Sequence, residues 1–127
     1  MAYIKKADQL KILVVEDMSS RIQFFRNRFK GHDLYFFDNA TDSIDALKLM
    51  TDKPWDIVFL DHDLGGKVFV PSSDPNTGYV VAEYIRDNNI KINQIFIHSM
   101  NPAGSQNIKS VLPQAKIIPF TLLKTSI

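Results

Sequence analysis

The feature that most constrains this chain is the recurrence of short apolar runs separated by amphipathic stretches. Lys11 to Val15, Leu34 to Phe37, Ile57 to Leu60, Gln94 to Ile97 and Ile117 to Phe120 are each four or five residues long. They are too short for buried helices and rich in β-branched or aromatic types, so they read as five strands. Between the first two runs, Ser19 or Ser20 is placed to cap a helix carrying Ile22, Phe25 and Phe29, which ends at Gly31. Thr41 is placed to cap a second helix with Ile44, Leu47 and Met50 on one face, closed before Pro54. Gly78 to Asn89 carries Val80, Val81, Tyr84 and Ile85 at helical spacing, and Pro102 opens a fourth helix through Ile108, Val111 and Leu112. Only Thr121 to Ile127 follows the last run, so a fifth helix is expected to be short or absent. Strict β-α alternation implies right-handed crossovers and a parallel sheet covered on both faces. The expected fold is α/β: a doubly wound five-stranded parallel sheet in the order 2-1-3-4-5.

Size and charge narrow the function classes. With 127 residues and 45% hydrophobic positions, the chain is expected to be a single domain over 1–127. Fifteen Lys and Arg against fourteen Asp and Glu leave +1, which argues against a long nucleic-acid footprint built on bulk charge. The absence of cysteine removes disulfides, thiolate metal sites and Cys nucleophiles. No apolar run approaches the roughly 18 residues that span a bilayer, so no membrane partner is expected and a cytoplasmic location is. Oligomeric state is left open.

Ligands of open parallel sheets sit beyond the carboxyl ends of the strands, so the residues directly after each run are the ones to inspect. The first run ends in Glu16-Asp17, the second in Asp38-Asn39, the third in Asp61-His62-Asp63 and the fourth in His98-Ser99, with Asn101 following. Glu16, Asp17, Asp61 and Asp63 would share one rim. Crowded carboxylates raise one another's pKa unless a cation neutralises them, and hard oxygen donors at loose spacing suit Mg²⁺ or Mn²⁺. The plainer alternative is that these acids cap the helices that follow. His62 and His98 are candidate general acid and base. His98 is the stronger case, since it ends an otherwise apolar strand; a lone histidine such as His62 is more often structural. His32, in a Gly-His-Asp turn, is expected at the surface. Pro102-Ala103-Gly104-Ser105 would turn free helix N–H groups to the rim, either to hold an anion or simply as a helix start. Gly65 to Thr77 is the one long loop, and loops of that length in small domains are usually functional or mobile.

From Lys11 to Phe120 this pattern resembles the response-regulator receiver domain, a CheY-like, flavodoxin-like fold. Ile12-Leu13-Val14-Val15-Glu16-Asp17 matches that family's first strand and acidic pair, and Ile57-Val58-Phe59-Leu60-Asp61 matches the third strand with its phosphoacceptor aspartate. Thr77-Gly78-Tyr79-Val80-Val81-Ala82 resembles its third helix. The resemblance implies that Asp17 and Asp61, with the backbone carbonyl of Asp63, bind Mg²⁺ and that Glu16 acts through water. Three departures stand out. Ile118-Pro119 replaces the Lys-Pro that closes strand five in receivers, His98 replaces the Thr or Ser switch residue of strand four, and the loop between Asp61 and Gly78 is enlarged. With Leu60-Asp61-His62-Asp63-Leu64-Gly65 and Ile97-His98-Ser99-Met100-Asn101-Pro102, these departures resemble the cyclic-phosphate-processing receiver domain, which implies action on cyclic phosphate ends of nucleic acid.

On that footing Asp61, His98 and His62 are the candidate catalytic residues. Ser99, Asn101 and Ser105 are the candidate phosphate-binding residues, in place of the missing lysine. The partner would be a phosphate-containing small molecule or a nucleic-acid end. The enzymatic form of the reading requires Asp17, Asp61, His98 and Ser99 to line one pocket. Against it stands a signalling receiver that accepts phosphate on Asp61 or only binds a partner. Toprim nucleases also resemble the chain in placing a Glu after strand one and Asp-x-Asp after strand three, but a Gly usually follows that Glu, where Asp17 stands here. Haloacid-dehalogenase-type phosphatases share Asp-x-Asp but need further downstream motifs that the chain lacks.

Overall fold

The computed structural model describes residues 9–126; the ends of the expected 1–127 domain, residues 1–8 and 127, lie outside it. Five parallel strands, β1 (Lys11–Val15), β2 (Asp33–Phe37), β3 (Trp55–Leu60), β4 (Ile92–Ile97) and β5 (Lys116–Ile117), form one sheet in the order β2-β1-β3-β4-β5. The helices between and after them are α1 (Ser19–Arg28), α2 (Ala40–Leu49), α3 (Gly78–Asp87), α4 (Pro102–Val111) and α5 (Phe120–Ser126). The doubly wound parallel sheet is therefore as expected.

The side-chain period of two divides β1 and β3 between two cores. Leu13, Val15, Val58 and Leu60 face α2, α3 and α4, where Leu47, Val81, Ile85 and Ile108 complete one cluster. Ile12, Val14, Ile57 and Phe59 face α1 and α5 and pack on Phe25, Phe29 and Leu123. Each of these buried side chains is worth up to about 1.5–3 kcal/mol on removal from water. Both faces of the central strands are thus apolar, and polar chemistry is confined to the strand ends.

Four local expectations are corrected. Ile117 to Phe120 is not a full strand: only Lys116–Ile117 is strand, because Pro119 has no N–H to extend the ladder. The amides of Ile118 and Phe120 still donate to the carbonyls of Ile97 and His98 at 2.9 Å, and Phe120 starts α5, which is present and seven residues long. Asn39, not Thr41, caps α2, its side chain accepting the Asp42 amide. Met18 occupies the cap position of α1 without a side-chain bond, in place of Ser19 or Ser20. His32 is half-buried, and its Nδ1 accepts the Leu10 amide at 3.0 Å.

Candidate functional site

The carboxyl ends of β1 and β3 open on a cavity of about 240 Å³ lined by Glu16, Asp17, Asp61 and Asp63, with Met18, Arg21, Gly66 to Phe69 and Met100 around them. Glu16 follows β1 and is fully buried. Its Oε2 accepts the amides of Asp17 and Met18, both at 3.0 Å, so it receives backbone donors ahead of α1 much as a cap would. Its Oε1 lies 2.7 Å from Nε2 of His98, at the end of β4. Burial works to raise the Glu16 carboxyl, but the hydrogen bond and charge of His98, the Met18 amide and Arg21 outweigh it and hold it below the usual range. An ionised Glu16 makes His98 Nε2 the donor, and His98 Nδ1 has no partner among the described residues.

Asp61 is held at the rim by its own strand, and its Oδ1 accepts the His62 amide at 2.8 Å. Burial pushes its carboxyl up to about 7, with the charge of Glu16 adding to the rise and His98 and Arg21 opposing it. Asp17, less buried, is raised in the same direction by burial and by Glu16, although the Gly66 amide donates to its Oδ2 at 2.6 Å. Two neighbouring carboxyls that resist ionisation gain from a divalent cation. Glu16, Asp61 and His98 each offer a ligand-type atom within 4.8 Å of the others. Because His98 Nε2 is committed to Glu16, the donors that fit a cation are carboxylate oxygens, a hard set suited to Mg²⁺ or Mn²⁺.

Arg21 is the residue that strand-end inspection misses. It lies on the first turn of α1, and its Nη1 stands 3.7 Å from Glu16 Oε1 and 3.9 Å from Asp61 Oδ2. Its guanidinium carbon sits 4.9 Å from the ring centroid of Phe120, so the start of α5 supports it from behind. The only sequence signal was its position four residues after Asp17, on the turn that follows the acidic pair.

The remaining expected site residues go elsewhere. His62 does not line the cavity. It is fully buried, with Nδ1 at 2.8 Å from Asp63 Oδ1 and Nε2 at 2.8 Å from Ser72 Oγ, and both nitrogens are used to pin the long loop. Gly104 closes over it, for a Cβ there would lie 2.4 Å from the imidazole Cγ. The Asp63 carboxylate also accepts from Phe69 N, Val70 N and Asn101 Nδ2, and these bonds outweigh the cost of burial and hold it below the usual range. Its side chain is therefore a loop anchor. Asn101 spends its amide on Asp63 and Val70 and its oxygen on the Gly104 amide as the cap of α4. Ser99 Oγ accepts the Asn101 amide, and Ser99 and Ser105 line a separate cavity between α4 and β5.

The structure thus brings Glu16, Asp17, Asp61 and the Asp63 position to one cavity, with His98 directly behind Glu16. It does not bring His62, Ser99, Asn101 and Ser105 there, because each is tied into the loop and the start of α4 or faces the second cavity. Of the four residues that the histidine-driven enzymatic reading needs in one pocket, only Asp17 and Asp61 line it. The long loop is held in place, its Gly65 and Gly66 at φ 74° and 75° delivering the Gly66 amide to Asp17.

No curated protein matches the chain at a significant level. Among solved structures, the receiver domain of a putative LuxO repressor protein from Vibrio parahaemolyticus aligns over 93% of this chain and 86% of its own at 18% identity, with a TM-score of 0.65. The response regulator TrrA from Thermotoga maritima, solved with Mg²⁺ and BeF, aligns over 88% and 89% at 20% identity and TM-score 0.60. The Mn²⁺-bound response regulator Rcp1 aligns over 85% and 79% at 16% identity and TM-score 0.60. At these identities the likeness concerns the fold, which is that of CheY-like receiver domains. The family model for the cyclic-phosphate processing receiver domain matches residues 11–114, nearly the whole sheet with its acidic rim and enlarged loop, and the chain belongs to that family.

Proposed function

We propose that the chain binds a phosphate ester or cyclic phosphate, together with Mg²⁺ or Mn²⁺, in the cavity lined by Glu16, Asp17 and Asp61. The observation that carries this reading is Arg21, a cation facing two buried carboxylates from inside that cavity. A guanidinium has five donors, so it can keep its acidic neighbours and still meet a phosphoryl oxygen. It supplies the positive charge that Ile118-Pro119, just after β5, lacks. Asp17 and Asp61 are the groups to hold the cation, with Glu16 acting through water. When bound, the cation would neutralise the acids and polarise a phosphoryl oxygen. The TrrA complex with Mg²⁺ and BeF joins a cation and a phosphoryl mimic on this fold, which favours the reading.

Acid–base chemistry by the two histidines is not part of the proposal, since His62 is walled off by Gly104 and His98 stands behind Glu16. Asp61, raised to about 7 without a cation, would give up that proton when the cation binds. A second reading, phosphate acceptance on Asp61 as in a signalling receiver, is favoured by the position of that carboxylate on the cavity wall beside Arg21.

Calorimetric titration with inorganic phosphate and with a nucleoside 2′,3′-cyclic phosphate, with and without Mg²⁺ or Mn²⁺, tests the proposal. The expected result is cation-dependent binding, weakened about tenfold or more by Arg21→Gln, a loss of ~1.4 kcal/mol or more, with the cation dependence lost in Asp61→Asn. Absence of binding with either cation overturns it. An Asp61-dependent adduct with acetyl phosphate, without affinity for esters, would instead establish the second reading.

A further inference from the structure

The enlarged loop contributes Gly66 to Phe69 to the cavity lining, and the exposed part of that lining is apolar. Among the described residues, Met18, Leu49, Val68, Phe69, Met100 and Leu122 are the large apolar side chains left in solvent, and four of these six line the acidic cavity. Scattered exposed apolar residues need no explanation, but this concentration around one polar cavity does. Phe69 is 71% exposed and has φ of 52°, a left-handed backbone that is unfavourable for a bulky side chain. Packing of its ring does not account for that conformation. It is imposed from below: the Asp63 carboxylate accepts the Phe69 amide at 2.7 Å and the Val70 amide at 3.2 Å, and Val70 is buried. His62 and Asn101 in turn fix Asp63. The clamp that withdraws His62 from chemistry thereby holds an aromatic ring at the cavity mouth, with the thioethers of Met18 and Met100 also on the lining.

We infer that Phe69 is a specificity-determining residue that stacks on the base of a nucleotide whose phosphate enters the cavity beside Arg21 and Asp61. The assignment rests on the phosphate-binding reading above. A cavity lined by cation-holding acids, a guanidinium and an exposed aromatic ring matches a ligand that joins a phosphate to a flat apolar ring. An aromatic platform accepts any base, because every base has a π-face. A free nucleotide and the 3′-phosphate end of an RNA present this same chemistry.

The test compares ribose 5-phosphate, adenosine 3′-monophosphate and a short RNA ending in a 3′-phosphate, titrated into the whole chain with Mg²⁺. The nucleotide or the RNA end is expected to bind roughly 5- to 100-fold more tightly than the sugar phosphate. Phe69→Asn, which suits the left-handed backbone but carries no ring, should erase that advantage and leave ribose 5-phosphate affinity unchanged, whereas Phe69→Tyr should retain it. Whichever of the nucleotide and the RNA end shows the larger Phe69-dependent advantage is the source. Equal affinity of all three probes in the wild type, or an advantage that survives Phe69→Asn, overturns the stacking role while leaving the phosphate site intact. Failure of all three to bind overturns the phosphate site and the stacking role together.

Discussion

Two buried histidines at the carboxyl end of this sheet each touch a carboxylate oxygen, His98 to Glu16 at 2.7 Å and His62 to Asp63 at 2.8 Å, yet the pairs do different work. His62 has a partner on both ring nitrogens and is covered by Gly104, so its pair is closed and serves to tie the loop to α4. His98 has one nitrogen on Glu16 and the other without a partner among the described residues, while its ring lies among Phe25, Phe59 and Phe120. Its partner Glu16 reaches the cavity, together with Arg21 and Asp61. A pairwise distance therefore says little about role. What else faces the carboxylate, loop amides at Asp63 but Arg21 and Asp61 at Glu16, decides whether the pair is a fastener or part of a site.

The difference can be broken most directly by removing each histidine. His98→Ala leaves Glu16 buried without its principal partner and opens a hole in an aromatic cluster, and should cost about 3–5 kcal/mol. His62→Ala loses two hydrogen bonds, but Asp63 keeps Asn101 and two loop amides, so about 1–3 kcal/mol is expected. Urea unfolding of the two variants checks this, and equal losses would erase the distinction.

A second substitution sharpens the closed pair alone. Replacing a helical glycine with alanine ordinarily stabilises by up to about 1 kcal/mol, but Gly104→Ala must displace the His62 ring and is expected to destabilise by about 2–3 kcal/mol. A stabilised Gly104→Ala protein would show that the ring is free to move. Limited proteolysis within residues 65–77 should speed up in the same variant.

The carboxyl beside the open pair, Asp61, is read best through pH. Asp61 holds its proton up to about 7 in the fold, against an ordinary 3.8. Between about pH 4 and 7 the folded chain therefore binds a proton that the unfolded chain has released, and cation-free stability falls as pH rises through that window. Asp61→Asn should remove this fall and, at pH 8 with chelator present, exceed the wild type by about 2 kcal/mol. That is less than the full shift implies, because the carboxylate borders a cavity. Melting curves at pH 5 and pH 8 test it: a wild type as stable at pH 8 as at pH 5 would contradict the assignment.

Much of this was legible from residues alone. The apolar runs located β1 to β4 and met β5 only at Ile117, and the β1 boundaries, Lys11 and Val15, coincide with those read from sequence. Thr77-Gly78, noticed as a family likeness, has a steric cause, since a Cβ at Gly78 would fall 1.8 Å from the carbonyl oxygen of Asp61. The differences cluster where several nearby side chains compete to cap the same helix amides. Asn39 outcompeted Thr41 as a cap, and Glu16 supplied the donors' partner ahead of α1 that Ser19 or Ser20 was expected to provide. Arg21 carries no strand-end signal, because it is a long side chain on the first turn of the next helix that reaches back to the same rim.

The sequence by itself determined the sheet, its order and the identity of the acids at its carboxyl edge. Those follow from a period of two, short crossovers and the handedness of the chain, all of them local or generic constraints. Only the tertiary structure decided that His62 faces inward, that His98 stands behind Glu16 and that Arg21 faces Asp61. Those orientations depend on hydrogen bonds spanning 82 residues from Glu16 to His98 and 38 from Asp63 to Asn101, and on the close approach that Gly104 allows. No window along the chain contains both ends of such a bond.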